Sequence, residues 1–286
     1  MSRSRAGWRR RLAELAALGV AAELATAALA ADTIFFDGFE VGSTCAWSSA
    51  NAAPACCGAL LLEEDWNLPD GAGWPSPWVE SGNEVALADV QGGRGRLRPD
   101  PSGYSLARMV APGAATTVQA LFTMILEDPG TQGVGFYARQ NGGYLQQTMP
   151  HGQGYAVFVE AFRGPAIGVW REVDGSEQPI LIDFDAALGL SADVPYRVRY
   201  LLDAPPPAAT GGAPDGPPGS STRLRARVWP EGTPEPALFQ VEALDATPDL
   251  QGVSGGFAID SWSNLTAGIT AHTLIDDLQI FEICTE

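Results

Sequence analysis

Three groups of residues have the types and spacing to do chemistry. Glu172-Val-Asp174-Gly-Ser-Glu177 sets three carboxylates close together. Two carboxyl groups can cleave a glycosidic bond with retention when they stand ~5 to 5.5 Å apart on one face of a groove. Between them, however, Asp174-Gly175 is a strong hairpin-turn signal. Such a turn is expected to point Glu172 and Glu177 away from a shared substrate, so the segment reads as a surface hairpin. The second group is Gly252-Val-Ser254-Gly-Gly256, a GxSxG pattern with Asp260 and His272 following in the order of an acyl hydrolase. A nucleophile elbow needs a helix after the turn, whereas residues 257–262 read as strand. The third group is five arginines, Arg197, Arg199, Arg223, Arg225 and Arg227, at alternate positions of two neighbouring segments. Guanidinium forks bind carboxylate or sulfate bidentately, which makes Arg225 and Arg227 candidates for an acidic polysaccharide. The same array can instead be neutralised across strands by Glu172, Asp183, Asp185 or Glu242. No residue is assigned a catalytic role.

A further set suits a saccharide. Tyr137, Arg139, Trp170 and Glu172 fall on the outward phase of their segments, and an aromatic beside polar groups on an exposed sheet suits saccharide binding. Asp276 alternates in phase with Leu278 and Ile280, so its carboxylate is expected on the covered face, where it needs a partner.

The elements that must position these residues are strands. Period-two alternation recurs at Tyr196–Leu202, Arg223–Trp229 and Phe239–Ala243, with further strands expected at 118–126, 134–139, 155–162, 167–173, 180–184, 255–259 and 274–283. With 33 glycines and 22 prolines in 286 residues, a helical bundle is excluded. The fold expected is an all-β, two-sheet antiparallel jelly-roll sandwich. Asp203–Thr222 is too poor in apolar residues to pack and reads as a flexible Pro/Gly hairpin loop.

Composition also bounds partner and compartment. A net charge of −17 disfavours a nucleic-acid partner. Residues 1–31 carry Arg3, Arg5 and Arg9–Arg11 ahead of an Ala/Leu-rich stretch ending in Ala28-Leu29-Ala30, the pattern of a signal peptide. Its removal takes away five arginines and two glutamates and leaves −20. No later segment has the apolar length of a membrane span, so a secreted or cell-surface protein is expected. Cys45, Cys56, Cys57 and Cys284 form an even set, read as a disulfide framework of open pairing. If the chain ends meet, Cys284 would tie the last strand to the segment of Cys56 and Cys57. The domains expected are therefore the leader at 1–31, an N-terminal extension at 32–58 and a jelly roll at 59–286.

The ordered segments GVGFYARQNGGY, GYAVFVEAF, GVWREVDG, PYRVRYLL, LRARVWPEGTPEP, GFAIDSW and LIDDLQIF, opened by EEDWNLPDGAGWPSPW, resemble the concanavalin A-like lectin/glucanase superfamily, especially laminin-G-like bacterial modules, over roughly residues 60–283. The resemblance implies a curved jelly roll whose concave sheet often binds saccharides. It also implies a structural calcium ion in some members, held by an aspartate matching Asp276, with Asp65 placed to assist. The spacing Glu172–Asp174–Glu177 is one that retaining glucanases of that superfamily use. IFFDGFEVGSTCAWS resembles a segment found near the termini of secreted bacterial proteins. The reading reached is a secreted binding module for a carbohydrate or cell-surface polymer, with glycan cleavage and a structural or adhesive role as alternatives.

Overall fold

Alternating apolar residues impose two stacked sheets. The computed structural model describes residues 57–81, 85–100, 106–144, 149–185, 188–204, 221–265 and 268–283. The leader, nearly all of the extension, Cys45, Cys56, Cys284 and the interior of the 203–222 loop lie outside them. The described strands are β1 (Cys57–Glu64), β2 (Val79–Ser81), β3 (Val85–Val90), β4 (Gly95–Pro99), β5 (Leu106–Ala115), β6 (Val118–Leu126), β7 (Gln132–Gln140), β8 (Gly154–Glu160), β9 (Ala166–Val173), β10 (Ser176–Phe184), β11 (Tyr196–Asp203), β12 (Thr222–Pro230), β13 (Val241–Asp245), β14 (Gly255–Ser263) and β15 (Thr273–Ile283). One sheet of eight strands runs β13-β12-β11-β6-β15-β4-β3 with β1 also on β15, and one of seven runs β10-β9-β8-β7-β14-β5-β2. Every named ladder is antiparallel. The described residues thus form an all-β two-sheet jelly-roll sandwich, whose first and last described strands are neighbours, with Cys57 opposite Ile283.

The side chains that alternate inward interdigitate between the sheets. Phe122, Tyr200 and Ile280 from the eight-stranded sheet meet Phe136, Val157 and Phe257 from the other in one buried cluster. Phe136 lies 5.6 Å from Phe122 and 6.2 Å from Phe257, ring centre to ring centre. Burial of such aromatic area, each side chain contributing about 2–3 kcal/mol, is the main stabilisation of this layer. Trp66, Trp74 and Trp78 close one end with edge-to-face contacts at 5.2 and 5.6 Å.

Two local irregularities redirect side chains that alternation had placed. Arg139 has φ +54° and Asp277 φ +47°, left-handed values that non-glycine residues rarely adopt. At Arg139 the register with β14 shifts, and the side chain turns inward, where it donates to the carbonyls of Thr116 and Leu250 and stacks on Tyr155. At Asp276–Gln279 the register with β6 shifts likewise. This bulge, one extra residue in the strand, breaks the phase between Asp276 and Leu278. The Asp276 carboxylate therefore leaves the covered face and sits 3.4 Å from the Arg94 guanidinium.

Candidate functional site

The outer face of the seven-stranded sheet falls into two halves. The charged half is built on Arg108 of β5, whose register partner on β14 is Asp260. The Arg108 Nε and Nη2 donate to the two Asp260 oxygens at 2.8 Å each, while Nη1 donates to Glu172 at 3.0 and 3.2 Å and to the Gly143 carbonyl at 3.2 Å. Both carboxylates and the guanidinium are at most 1% exposed. The Tyr137 ring lies under the guanidinium at 4.5 Å, and its hydroxyl donates to Glu177. A buried ion pair persists only when its members are hydrogen-bonded all round, and Arg108 meets that condition.

The β9–β10 hairpin delivers the second acid. Asp174 and Gly175 take φ +54° and +69°, as a two-residue hairpin turn demands. The register then sets Glu177 directly opposite Glu172. This corrects the expectation that the turn separates them: ladder partners share one face whatever the turn between them. Burial pushes both carboxyls up to about 7, against the opposing pull of Arg108 on Glu172 and of the Tyr137 hydroxyl on Glu177. Burial also raises the Asp260 carboxyl and holds the Tyr137 hydroxyl well above its ordinary range. Gly152 closes this half from above, since a Cβ there would strike the Glu172 carboxylate and the Arg108 Nη1. The Ser81 hydroxyl fastens the same loop through the Gly142 and Gly143 carbonyls.

The aromatic half reaches solvent through Trp170 and Trp262. Gly133 and Gly135 of β7 leave room for the rings of Trp262 and Phe158, which would collide with a Cβ at either position. Phe158 lies 4.7 Å from Trp262 and 5.3 Å from Trp170, and both tryptophans are half-buried. Phe158, Glu160, Arg163, Ala166, Gly168, Trp170 and Ile182 line a shallow cleft with an accessible volume of about 10 Å³.

The expected ligand residues therefore divide. Trp170 stands on this half of the face. Tyr137 and Glu172 share the face but are buried, which corrects their placement among exposed groups: ring packing and Arg108 cover them. Arg139 is not on the face at all. Arg225 and Arg227 project from the outer face of the opposite sheet, where Asp203 holds Arg223 and Arg225 and Glu235 holds Arg199 and Arg227. Of the expected partners, Glu242 lies opposite Arg225 in the ladder and acts on Arg223 and Arg225 electrostatically, while Glu172 belongs to Arg108. Both Arg225 and Arg227 stack on the Phe239 ring, at 4.9 and 4.6 Å. Of the GxSxG group, Asp260 belongs to Arg108, and His272 pairs with Glu127 at 2.8 Å. Arg108, Phe158, Glu160 and Trp262 were not singled out from sequence; the glycines on alternate positions facing Phe158 and Trp262 were the available signal.

The residues expected to hold calcium do not fit it. Asp276 has a guanidinium beside it and accepts from the Asp277 amide, and Asp65 accepts from the Asn67 amide. Among the described residues no three His, Cys, Asp or Glu side chains converge as metal ligands would. No helix among the described residues is long and apolar enough to cross a membrane.

Fold and face together define a jelly-roll sandwich with a glycine-floored aromatic strip on one sheet. Comparison with known proteins places it in outline. No family model matches the chain, and no curated protein matches it. Among solved structures it is similar to the carbohydrate-binding module CBM66 from Bacillus subtilis (11% identity, 72% of this chain and 95% of that one, TM-score 0.44). It is similar also to the exoplasmic/lumenal domain of VIP36 in a Ca2+/Man3GlcNAc-bound form (11%, 73% and 85%, TM-score 0.47) and to a Bacillus licheniformis beta-glucanase (11%, 78% and 98%, TM-score 0.44). These neighbours are lectin, binding-module and glucanase jelly rolls. At such identities and TM-scores they carry no argument about ligand or activity, and the sandwich architecture rests on this chain's own ladders.

Proposed function

We propose that the protein is an exported carbohydrate-binding module whose ligand lies along Trp262 and Trp170, the two half-buried rings that flank Phe158. The observation that carries this is the strip of rings on a floor of glycines, in which half-buried Trp170 and Trp262 flank the buried Phe158. Sheet faces exposed to water are ordinarily polar, and a contiguous apolar patch with convergent polar groups is the mark of a binding surface. Aromatic faces stack on the C–H face of a sugar ring, while flanking side chains take its hydroxyls. A glycan array probed with the full chain and with Trp262→Ala and Trp170→Ala tests it. Binding that falls at least tenfold in both variants supports the strip, and wild-type silence across the array overturns it. Export rests on the leader at residues 1–31; a secreted product whose N-terminus lies near Ala31 or Asp32 supports export, and retention of the leader sinks it.

Glycan cleavage has one observation in its favour, the side-by-side Glu172 and Glu177 with carboxyls near neutrality. Against it, Glu172 is sealed and both its oxygens are held by Arg108. A nucleophile must reach the anomeric carbon. Hydrolysis of a β-glucan that disappears in Glu177→Gln would reverse this preference.

A further inference from the structure

The cleft at the edge of the aromatic strip contains an acid whose hydrogen bonding is incomplete. Glu160, the last residue of β8, is 5% exposed. Its Oε1 accepts from the Arg163 Nε at 2.7 Å. Its Oε2 is buried and has no hydrogen-bond partner. An orphaned carboxylate oxygen is costly, and native proteins keep few of them without a use. The walls around it are the Phe158 and Trp170 rings, and the base is Ala166 and Gly168, where a Cβ would press on the Trp170 Nε1. Arg163 is half exposed, pairs with Glu160 and lies over the Phe162 ring at 5.0 Å. The enclosed portion of the cleft has room for a single group of about the size of a water molecule.

The charges nearby narrow the ligand further. Glu160 pairs with Ala166 at one end of the β8–β9 ladder, Glu172 lies opposite Gly154 and Glu177 at the other, and Asp260 lies beside Arg108. Arg108 is consumed by two of the acids and Arg163 by a third. The whole chain carries −17. An anionic sugar would be repelled here and would meet no spare guanidinium.

We propose that this cleft is the specificity-determining subsite of the saccharide face: Glu160 Oε2 accepts a hydrogen bond from one hydroxyl of an uncharged sugar stacked on Trp170, and acidic sugars are turned away. The inference rests on the saccharide reading and adds to it the class of sugar and the recognising atom. A site built around a buried acceptor discriminates strongly against a ligand that lacks the matching hydroxyl, because the acceptor is then left unpaired.

Titration calorimetry on the full chain, with laminarihexaose, cellohexaose, xylohexaose, a chitosan hexamer and oligogalacturonate as probes, tests it. Wild type should bind a neutral oligomer at least tenfold more tightly than oligogalacturonate. Glu160→Ala should weaken that neutral probe about tenfold or more, as expected for a hydrogen bond to a carboxylate. Glu160→Gln, which keeps an acceptor oxygen and nearly the same shape, should recover some of the loss. Should the alanine variant not fold, the glutamine variant is read against monodeoxy analogues of the best neutral probe. One analogue should lose about tenfold on wild type and much less on Glu160→Gln. Neutral probes binding both variants within twofold of wild type would overturn the subsite, as would chitosan or oligogalacturonate ranking first. Failure of the underlying reading looks different: no probe binds wild type, or Trp262→Ala binds as wild type does.

Discussion

The outer faces of the two sheets solve one electrostatic problem with opposite signs. On the seven-stranded sheet a single guanidinium, Arg108, is shared by Asp260 and Glu172, with Glu177 next in the ladder. On the eight-stranded sheet single carboxylates are shared by pairs of guanidiniums: Asp203 by Arg223 and Arg225, and Glu235 by Arg199 and Arg227. The first cluster has an excess of acid sealed from water. The second has an excess of base that is partly solvated and spread over the Phe239 ring. Shared polar partners are therefore no guide to a ligand site on this molecule; what separates the two faces is the glycine-floored strip of Trp262, Phe158 and Trp170 beside the acidic cluster.

Removing the shared ion should affect the two faces unequally. Arg108→Met leaves two buried carboxylates without a cation and is expected to destabilise by about 3–5 kcal/mol in urea unfolding. A loss under 1 kcal/mol would show that the triad is not buried as described.

Acidity gives the next largest contrast. Glu172 and Glu177 have folded values near 7 against an ordinary 4.5. The folded state then binds more protons than the unfolded chain between those values. Their contribution to stability is fully present below pH 4.5 and is lost as pH rises through about 7. Unfolding free energy should decline over that window by an amount on the order of a few kcal/mol, and Glu172→Gln should flatten the decline. A stability that rises from pH 5 to 8 would break the argument.

Gly133→Ala places a methyl against the Trp262 ring and is expected to cost about 1–3 kcal/mol, with loss of glycan binding. Arg225→Ala should cost only about 1 kcal/mol, because Asp203 keeps Arg223 and the pair is partly exposed. It should leave glycan binding unchanged; a loss of binding in the array would relocate the site to the eight-stranded sheet. Smallest of all, excess chelator should leave the melting temperature where it was, given the Arg94–Asp276 pair. A chelator-dependent fall would restore calcium.

Much of the fold was legible in the sequence because burial on one face writes a period of two. Val118–Leu126 appears as read, and the arginine-bearing segments emerge as β11 and β12 within a residue. The strands between residues 79 and 115 were not read: Val79–Ser81 is three residues long, Gly95–Pro99 has one aliphatic residue, Leu97, between two arginines, and Leu106–Ala115 ends in Pro-Gly-Ala-Ala. The site was less legible for a physical reason. Arg108 meets partners 64 and 152 residues away, and no local pattern encodes such a meeting. Arg139 and Asp276 were misplaced because one left-handed residue in a strand reverses the phase, and alternation assumes there is none.

The pairing of β1 with β15 governs how the module responds to force. Tension on the two ends of the described chain enters at Cys57 and Ile283, which are rungs of the same ladder. Pulling there opens the ladder one rung at a time, the mechanically weakest way to separate neighbouring strands. A role as a tether under strain would then depend on a covalent cross-link at that end, where Cys56, Cys57 and Cys284 fall in the sequence. Without it, β1 would peel from the sheet before the sandwich itself yielded.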